Sequence, residues 1–123
     1  MPAMTQTLRI SGPIDSLALQ RAEDALALLD RAQPLRVEIN SDGGSVQAGT
    51  AIYTLVSSWP GAVTVEVTGW ALSVASMLVM AGATRRMHPA GLLMIHAPWM
   101  GAAAGNAEEL RQQDPAEALR RTA

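Results

Sequence analysis

Two stretches of strict alternation, Leu35-Arg-Val37-Glu-Ile39 and Val63-Thr-Val65-Glu-Val67, constrain this chain more than any other feature. Side chains of a strand point alternately to its two faces, so each stretch offers one apolar face and one polar face. Each is followed at once by a glycine-bearing segment, Asn40-Ser-Asp-Gly-Gly-Ser45 and Thr68-Gly-Trp-Ala-Leu-Ser73, and then by a run with helical spacing. Strands that repeatedly feed helices through short loops predict an α/β fold with largely parallel strands joined by right-handed crossovers.

The flanking segments extend the pattern. Leu8 to Ile10 reads as a short strand ending in the turn Ser11-Gly-Pro-Ile14, and Asp15 or Ser16 caps a helix predicted to reach about Arg31, with Ala18, Ala22, Ala25, Leu26 and Leu29 on one face. A second helix is predicted from Val46 to Ser58, with Val46, Gly49, Ile52, Tyr53 and Val56 as its apolar stripe and Trp59-Pro-Gly61 as its end. A third, mostly apolar, runs from Ser73 to Ala81 with Gly82 as its C-cap. Two short strands follow, near Arg85 to Met87 and Leu92 to Ile95, separated by His88-Pro-Ala-Gly91, and the second delivers His96. A Gly/Ala loop from Pro98 to Gly105 and an amphipathic helical stretch from Ala107 complete the chain. With 123 residues and no repeat or linker, residues 1–123 are expected to form a single domain.

Composition removes whole classes of chemistry. There is no cysteine, which excludes disulfides, thiolate nucleophiles and thiolate metal sites and suits a cytoplasmic protein. All nine basic residues are arginines, so a serine–lysine dyad, a Schiff base and a phosphate-loop lysine are excluded as well. A net charge of −2 without a basic cluster argues against nucleic-acid binding. Val67 to Ala83, the most apolar stretch, is short of the roughly 20 residues that span a bilayer. The first residues carry no basic and apolar regions of a signal peptide. No motif asks for a cofactor or a metal: His88 and His96 lack clustered carboxylate partners.

What remains is a set of parts for acyl transfer. A glycine pair, Gly43 and Gly44, at a strand-to-helix loop lets N–H groups approach an anion without an intervening Cβ. Ser73 stands where a strand passes into a helix, next to the amide of Val74, and His96 leaves a later strand. A hydroxyl, a base and preorganised amides are what serine-mediated acyl transfer needs. Each part also has a plainer reading: Gly43-Gly44 as a turn, Ser73 as a helix N-cap, His96 as a structural residue. His88 is read as a turn residue beside Pro89, and Ser76 as a small residue for helix packing.

Taken together, Ile39-Asn-Ser-Asp-Gly-Gly-Ser-Val46, Ala48-Gly-Thr-Ala-Ile-Tyr53, Gly69-Trp-Ala-Leu-Ser73, Ala81-Gly82 and Met94-Ile-His-Ala-Pro98 resemble the Clp protease proteolytic subunit family, above all its phage head-maturation-type branch. The resemblance covers about Leu8 to Arg111. It implies a spiral of ββα units of the ClpP/crotonase type, Ser73 as nucleophile, His96 as general base, and amides of Gly43, Gly44 and Val74 as the oxyanion hole. It also implies a peptide or protein substrate, assembly into a homo-oligomeric ring, and an ATP-dependent unfoldase or phage capsid proteins as partners. The sequence departs from the family at Asp42, where proline is usual, and at Trp70, where a smaller or amide residue is usual. The family's triad aspartate lies well beyond the histidine; Asp114 is the only aspartate after His96, and Pro115 opposes a continuous helix through it. The chain thus reads as a domain shortened at its C-terminal end. Two other readings stay open: a degenerate relative that assembles or binds with little hydrolysis, and a crotonase-like acyl-CoA enzyme that uses the same amides to hold an enolate.

Overall fold

The computed structural model describes residues 6–95. Strand and helix alternate one for one as β1 (Gln6–Ser11), α1 (Ser16–Ala27), β2 (Leu35–Ser41), α2 (Val46–Ser57), β3 (Val63–Leu72) and α3 (Val74–Val79), after which β4 (Thr84–Met87) and β5 (Leu92–Met94) follow each other directly. The strands form one sheet in the order β1-β2-β3-β4, with β5 also paired to β3, and every pairing is parallel. The α/β class read from the alternating stretches is the observed one.

The alternation does what it predicted. Leu8, Ile10, Leu35, Val37, Ile39, Val63, Val65 and Val67 are all buried on one face of the sheet, under Ala22 and Leu26 of α1, Ile52 and Val56 of α2, and Leu78 and Val79 of α3. The opposite face is charged and cross-linked between strands. Arg9 Nε reaches Glu38 Oε1 at 2.9 Å, and Arg36 bridges Glu38 and Glu66 at 3.3 and 2.9 Å. The row Arg9, Glu38, Glu66 lies across three neighbouring strands in register. Among the described residues no helix is long and apolar enough to cross a membrane.

Helices α1 and α3 end earlier than predicted, and α2 buries a different face; α3 stops at Val79 with Met80 as its C-cap, so Gly82 does not cap it. Helix α1 stops at Ala27, short of Arg31, because the side-chain amide of Gln6 captures the backbone of Asp30: Gln6 Nε2 donates to Asp30 O at 2.9 Å and Asp30 N–H donates to Gln6 Oε1 at 2.6 Å. The Asp30 N–H, given to a neighbouring strand, cannot also continue the helical ladder, and Asp30 Oδ1 accepts the Ala32 N–H at 2.9 Å in a local turn. In α2 the buried residues are Ala48, Gly49, Ile52 and Val56, and the predicted stripe residue Val46 is exposed. Ser45 caps this helix by accepting the N–H of Ala48 at 3.1 Å, and Val46 in its first turn lies at the loop end of the sheet instead of over it. Trp59 fits as predicted, buried after α2, with Nε1 donating to Gln33 O at 2.9 Å and the Arg31 guanidinium 5.2 Å above its ring.

Stability is therefore expected to depend on the apolar face and hardly at all on the charged one. Ile52, fully buried, should cost about 2–5 kcal/mol when replaced by alanine. Arg9→Ala should cost at most about 1 kcal/mol, since an exposed ion pair contributes little. Urea unfolding of the two variants checks the contrast; equal losses would contradict this division of the sheet.

Candidate active site

The loops after β1, β2 and β3 all lie at the carboxyl ends of parallel strands, where α/β proteins place their ligand crevices. They are laced together by backbone bonds. Gly12 N–H donates to Asn40 O at 3.0 Å, Ile14 N–H to Gly43 O at 2.9 Å, and Ser45 N–H to Ile14 O at 2.7 Å.

Strand β3 does not run straight into this region. Ile39 pairs with Val67 and Ser41 with Ala71, so two positions of β2 oppose four of β3. On the other edge, Val67 pairs with Met87 of β4 and Trp70 with Leu92 of β5. Strand β3 thus carries a bulge at Thr68-Gly-Trp70, and the Asn40 side chain fills it. Asn40 Oδ1 accepts the Trp70 N–H at 3.0 Å in place of a ladder partner, and Thr68 Oγ1 donates to Ile39 O at 3.3 Å. Glycine at 69 leaves the Asn40 amide its place, since a Cβ would lie 2.8 Å from Asn40 Cγ.

Past the bulge, β3 ends at Leu72 and the chain enters Ser73 with φ 57° and ψ −128°, the one non-glycine residue of positive φ among the described residues. Such a conformation costs roughly 1–3 kcal/mol, and strain of this kind gathers at functional sites. Ser73 holds the N-cap position of α3, yet its side chain makes no capping hydrogen bond. The contrast lies within the molecule: Asp15 and Ser45, at the same position of α1 and α2, both cap with their side chains. The plain reading of Ser73 as a capping residue does not hold, and its hydroxyl is uncommitted among the described residues.

Gly43 packs directly against this serine. It is buried with φ 102°, and a Cβ there would lie 2.8 Å from both Leu72 O and Ser73 Cβ and 3.4 Å from Ser73 Oγ. Its amide, however, is engaged: Gly43 N–H donates to Ser41 Oγ at 3.0 Å, and the same hydroxyl donates to Gly12 O at 2.6 Å. The expectation that Gly43 lends its N–H to an oxyanion is corrected accordingly; its part is to admit the close approach of Ser73. The amides of Gly44 and Val74 have no hydrogen-bond partner among the described residues.

His96 and Asp114 lie outside the described residues. The strand leading to His96 is described: Leu72 pairs with Met94, and Ser73 N–H donates to Met94 O at 3.1 Å, so β5 lies alongside the end of β3. His88 is exposed and its Nδ1 accepts the Ala90 N–H at 3.1 Å, the turn role read from its place beside Pro89. Asp42 is exposed, and Trp70 is half-exposed next to Leu92. Among the described residues no three His, Cys, Asp or Glu side chains gather as a metal would need. Two residues that shape the site, Asn40 and Ser41, were not singled out from the sequence. Their signal was a pair of short polar side chains, Asn-Ser, directly after an alternating strand, which suits side-chain bonds to nearby backbone.

Comparison with known proteins is consistent with this geometry. The sequence model of the Clp protease family matches residues 3–122. An ATP-dependent Clp protease proteolytic subunit of Bacteroides fragilis is 36% identical over 112 residues, which are 87% of this chain and 54% of that protein. The ATP-dependent Clp protease proteolytic subunit 1 of Chlamydia abortus is 40% identical over 78 residues, 62% of this chain and 41% of its own length. Among solved structures, ClpP1 from Listeria monocytogenes superposes with a TM-score of 0.71 at 30% identity, covering 87% of this chain and 64% of that one. The chain spans about half the length of the Bacteroides relatives it matches. Strand order, loop sequence and these matches agree, and the chain belongs to the Clp protease family.

Proposed function

We propose that the chain is a Clp-type serine endopeptidase in which Ser73 attacks the carbonyl of a peptide bond. In this reading His96 accepts the hydroxyl proton and passes it to the leaving amine, and water then releases the acyl group from Ser73 by the same route. The N–H groups of Gly44 and Val74 hold the oxyanion of each tetrahedral intermediate. Asp114 is the candidate for orienting His96. The observation that carries the reading is the conformation of Ser73: a strained, non-capping serine with Gly43 pressed against it at the carboxyl end of a parallel sheet. A helix cap needs neither the strain nor the glycine, whereas an exposed nucleophile on a sharp strand-to-helix turn uses both.

Family membership supports a protease. The finer proposal is a peptidase domain that works in the cytoplasm within a homo-oligomeric ring, on protein substrates delivered by an ATP-dependent unfoldase or on phage capsid proteins during head maturation. A helix N-terminus bearing a serine nucleophile favours peptide hydrolysis over the crotonase-like alternative, in which the amides would serve an acyl-CoA enolate without a nucleophile.

Two experiments test the proposal. A fluorophosphonate probe should label the folded chain, and Ser73→Ala should remove the label completely; a folded wild-type chain of measured oligomeric state that never labels would favour the relative that assembles without hydrolysing. Gly43→Ala should slow labelling by about a hundredfold, since its Cβ would displace Ser73 and misplacement of a reacting group by about 1 Å costs a factor of that order. Unchanged labelling of Gly43→Ala would show that the glycine does not seat the serine.

A further inference from the structure

Helix α3 differs from the two helices before it in how its first turn is satisfied. At a helix N-terminus the cap side chain ordinarily accepts an N–H from the second or third helical residue. Asp15 does so for Ala18 and Ser45 for Ala48, the third helical residue in each case. The corresponding residue of α3 is Ser76. Its N–H donates to the carbonyl of Ser73 at 3.0 Å instead of to the Ser73 hydroxyl, and its own Oγ donates to that same carbonyl at 2.5 Å. Ser76 is 5% exposed and, with Ser41, is one of two buried polar residues among those described. A buried hydroxyl needs a hydrogen-bond partner, and here the partner is the backbone of the serine that carries the proposed chemistry.

We infer that Ser76 is a positioning residue for Ser73: its hydroxyl pins the Ser73 carbonyl so that the nucleophile keeps its strained backbone and its own hydroxyl stays out of the helix cap. The inference rests on the peptidase reading and deepens it. The Ser73 peptide groups are held from both sides, by Met94 O on the N–H and by Ser76 N–H and Oγ on the carbonyl. A residue at φ 57° relaxes toward negative φ unless its surroundings over-determine it. Packing alone does not explain Ser76, because alanine, which occupies the equivalent position of α1 and α2, would serve a tight helix contact as well.

Ser76→Ala removes the hydroxyl while keeping a good helix former, so α3 is expected to persist. In that variant fluorophosphonate labelling of Ser73 should slow about three- to tenfold, the usual effect of losing one hydrogen bond. With a cleaved peptide, kcat should fall by the same factor and KM should hold. Ser76→Thr keeps a hydroxyl able to reach a carbonyl one turn back and should restore most of the rate. Labelling of Ser76→Ala at the wild-type rate, or equal slowing in the alanine and threonine variants, would overturn the inference. If the wild-type chain does not label, the peptidase reading fails, and amide hydrogen exchange still decides the positioning role. The Ser73 amide should exchange faster in Ser76→Ala than in wild type, with the Val65 amide unchanged; equal exchange at Ser73 overturns the inference.

Discussion

The candidate site depends on one interruption of regular hydrogen bonding, the bulge of β3 at Thr68-Gly-Trp70. On the edge away from β2, β4 accompanies β3 only as far as Val67, and the bulge lies where β5 takes over that edge. The side-chain amide of Asn40 takes over the Trp70 N–H that the bulge releases, and glycine at 69 leaves room for it. Beyond the bulge, Trp70 to Leu72 pair with β5. That change of partner puts Ser73 against Met94, two positions before His96, and against the Gly43 loop on its other side.

Three serines at this end of the sheet divide two roles between them. Ser41 and Ser76 are buried and give their hydroxyl protons to backbone carbonyls, of Gly12 and of Ser73. Ser73 is only half-buried and, among the described residues, bonds to the surrounding chain through its backbone alone. The scaffold under them is a continuous apolar face from Leu8 to Val79, and among the described residues Ser73 is the one non-glycine residue of positive φ. A preorganised site requires its reacting group to be held by packed elements of this kind.

The strands were legible because period-two patterning reports burial directly: Leu35, Val37, Ile39, Val63, Val65 and Val67 are buried without exception. Gly43 and Ser73 were legible through their places at strand-to-helix passages. Less was visible where a distant side chain intervenes. The end of α1 is only partly local: Asp30 turns the chain by accepting the Ala32 N–H on its side chain, but the group that holds its backbone is Gln6 on another element. The phase of α2, with Ala48 inward and Val46 outward, follows from how the Ser45 cap sits over the sheet. The engagement of the Gly43 amide was equally hidden, since it depends on Ser41 being turned inward toward Gly12.

The sequence by itself determined the class of fold, the two faces of the sheet and the chemistry left open to the chain. Alternation and residue type are local properties, and the absence of lysine and cysteine needs no coordinates to exclude what it excludes. Only the tertiary structure decided that Ser73 is not a cap, that among the described residues the Gly43 N–H has a partner and the Gly44 N–H has none, and that Asn40 and Ser76 hold the chain around the serine. Those facts depend on hydrogen bonds that cross between elements or compete at one carbonyl. A choice among donors and acceptors is made by packing, after the pattern of the chain has already been set.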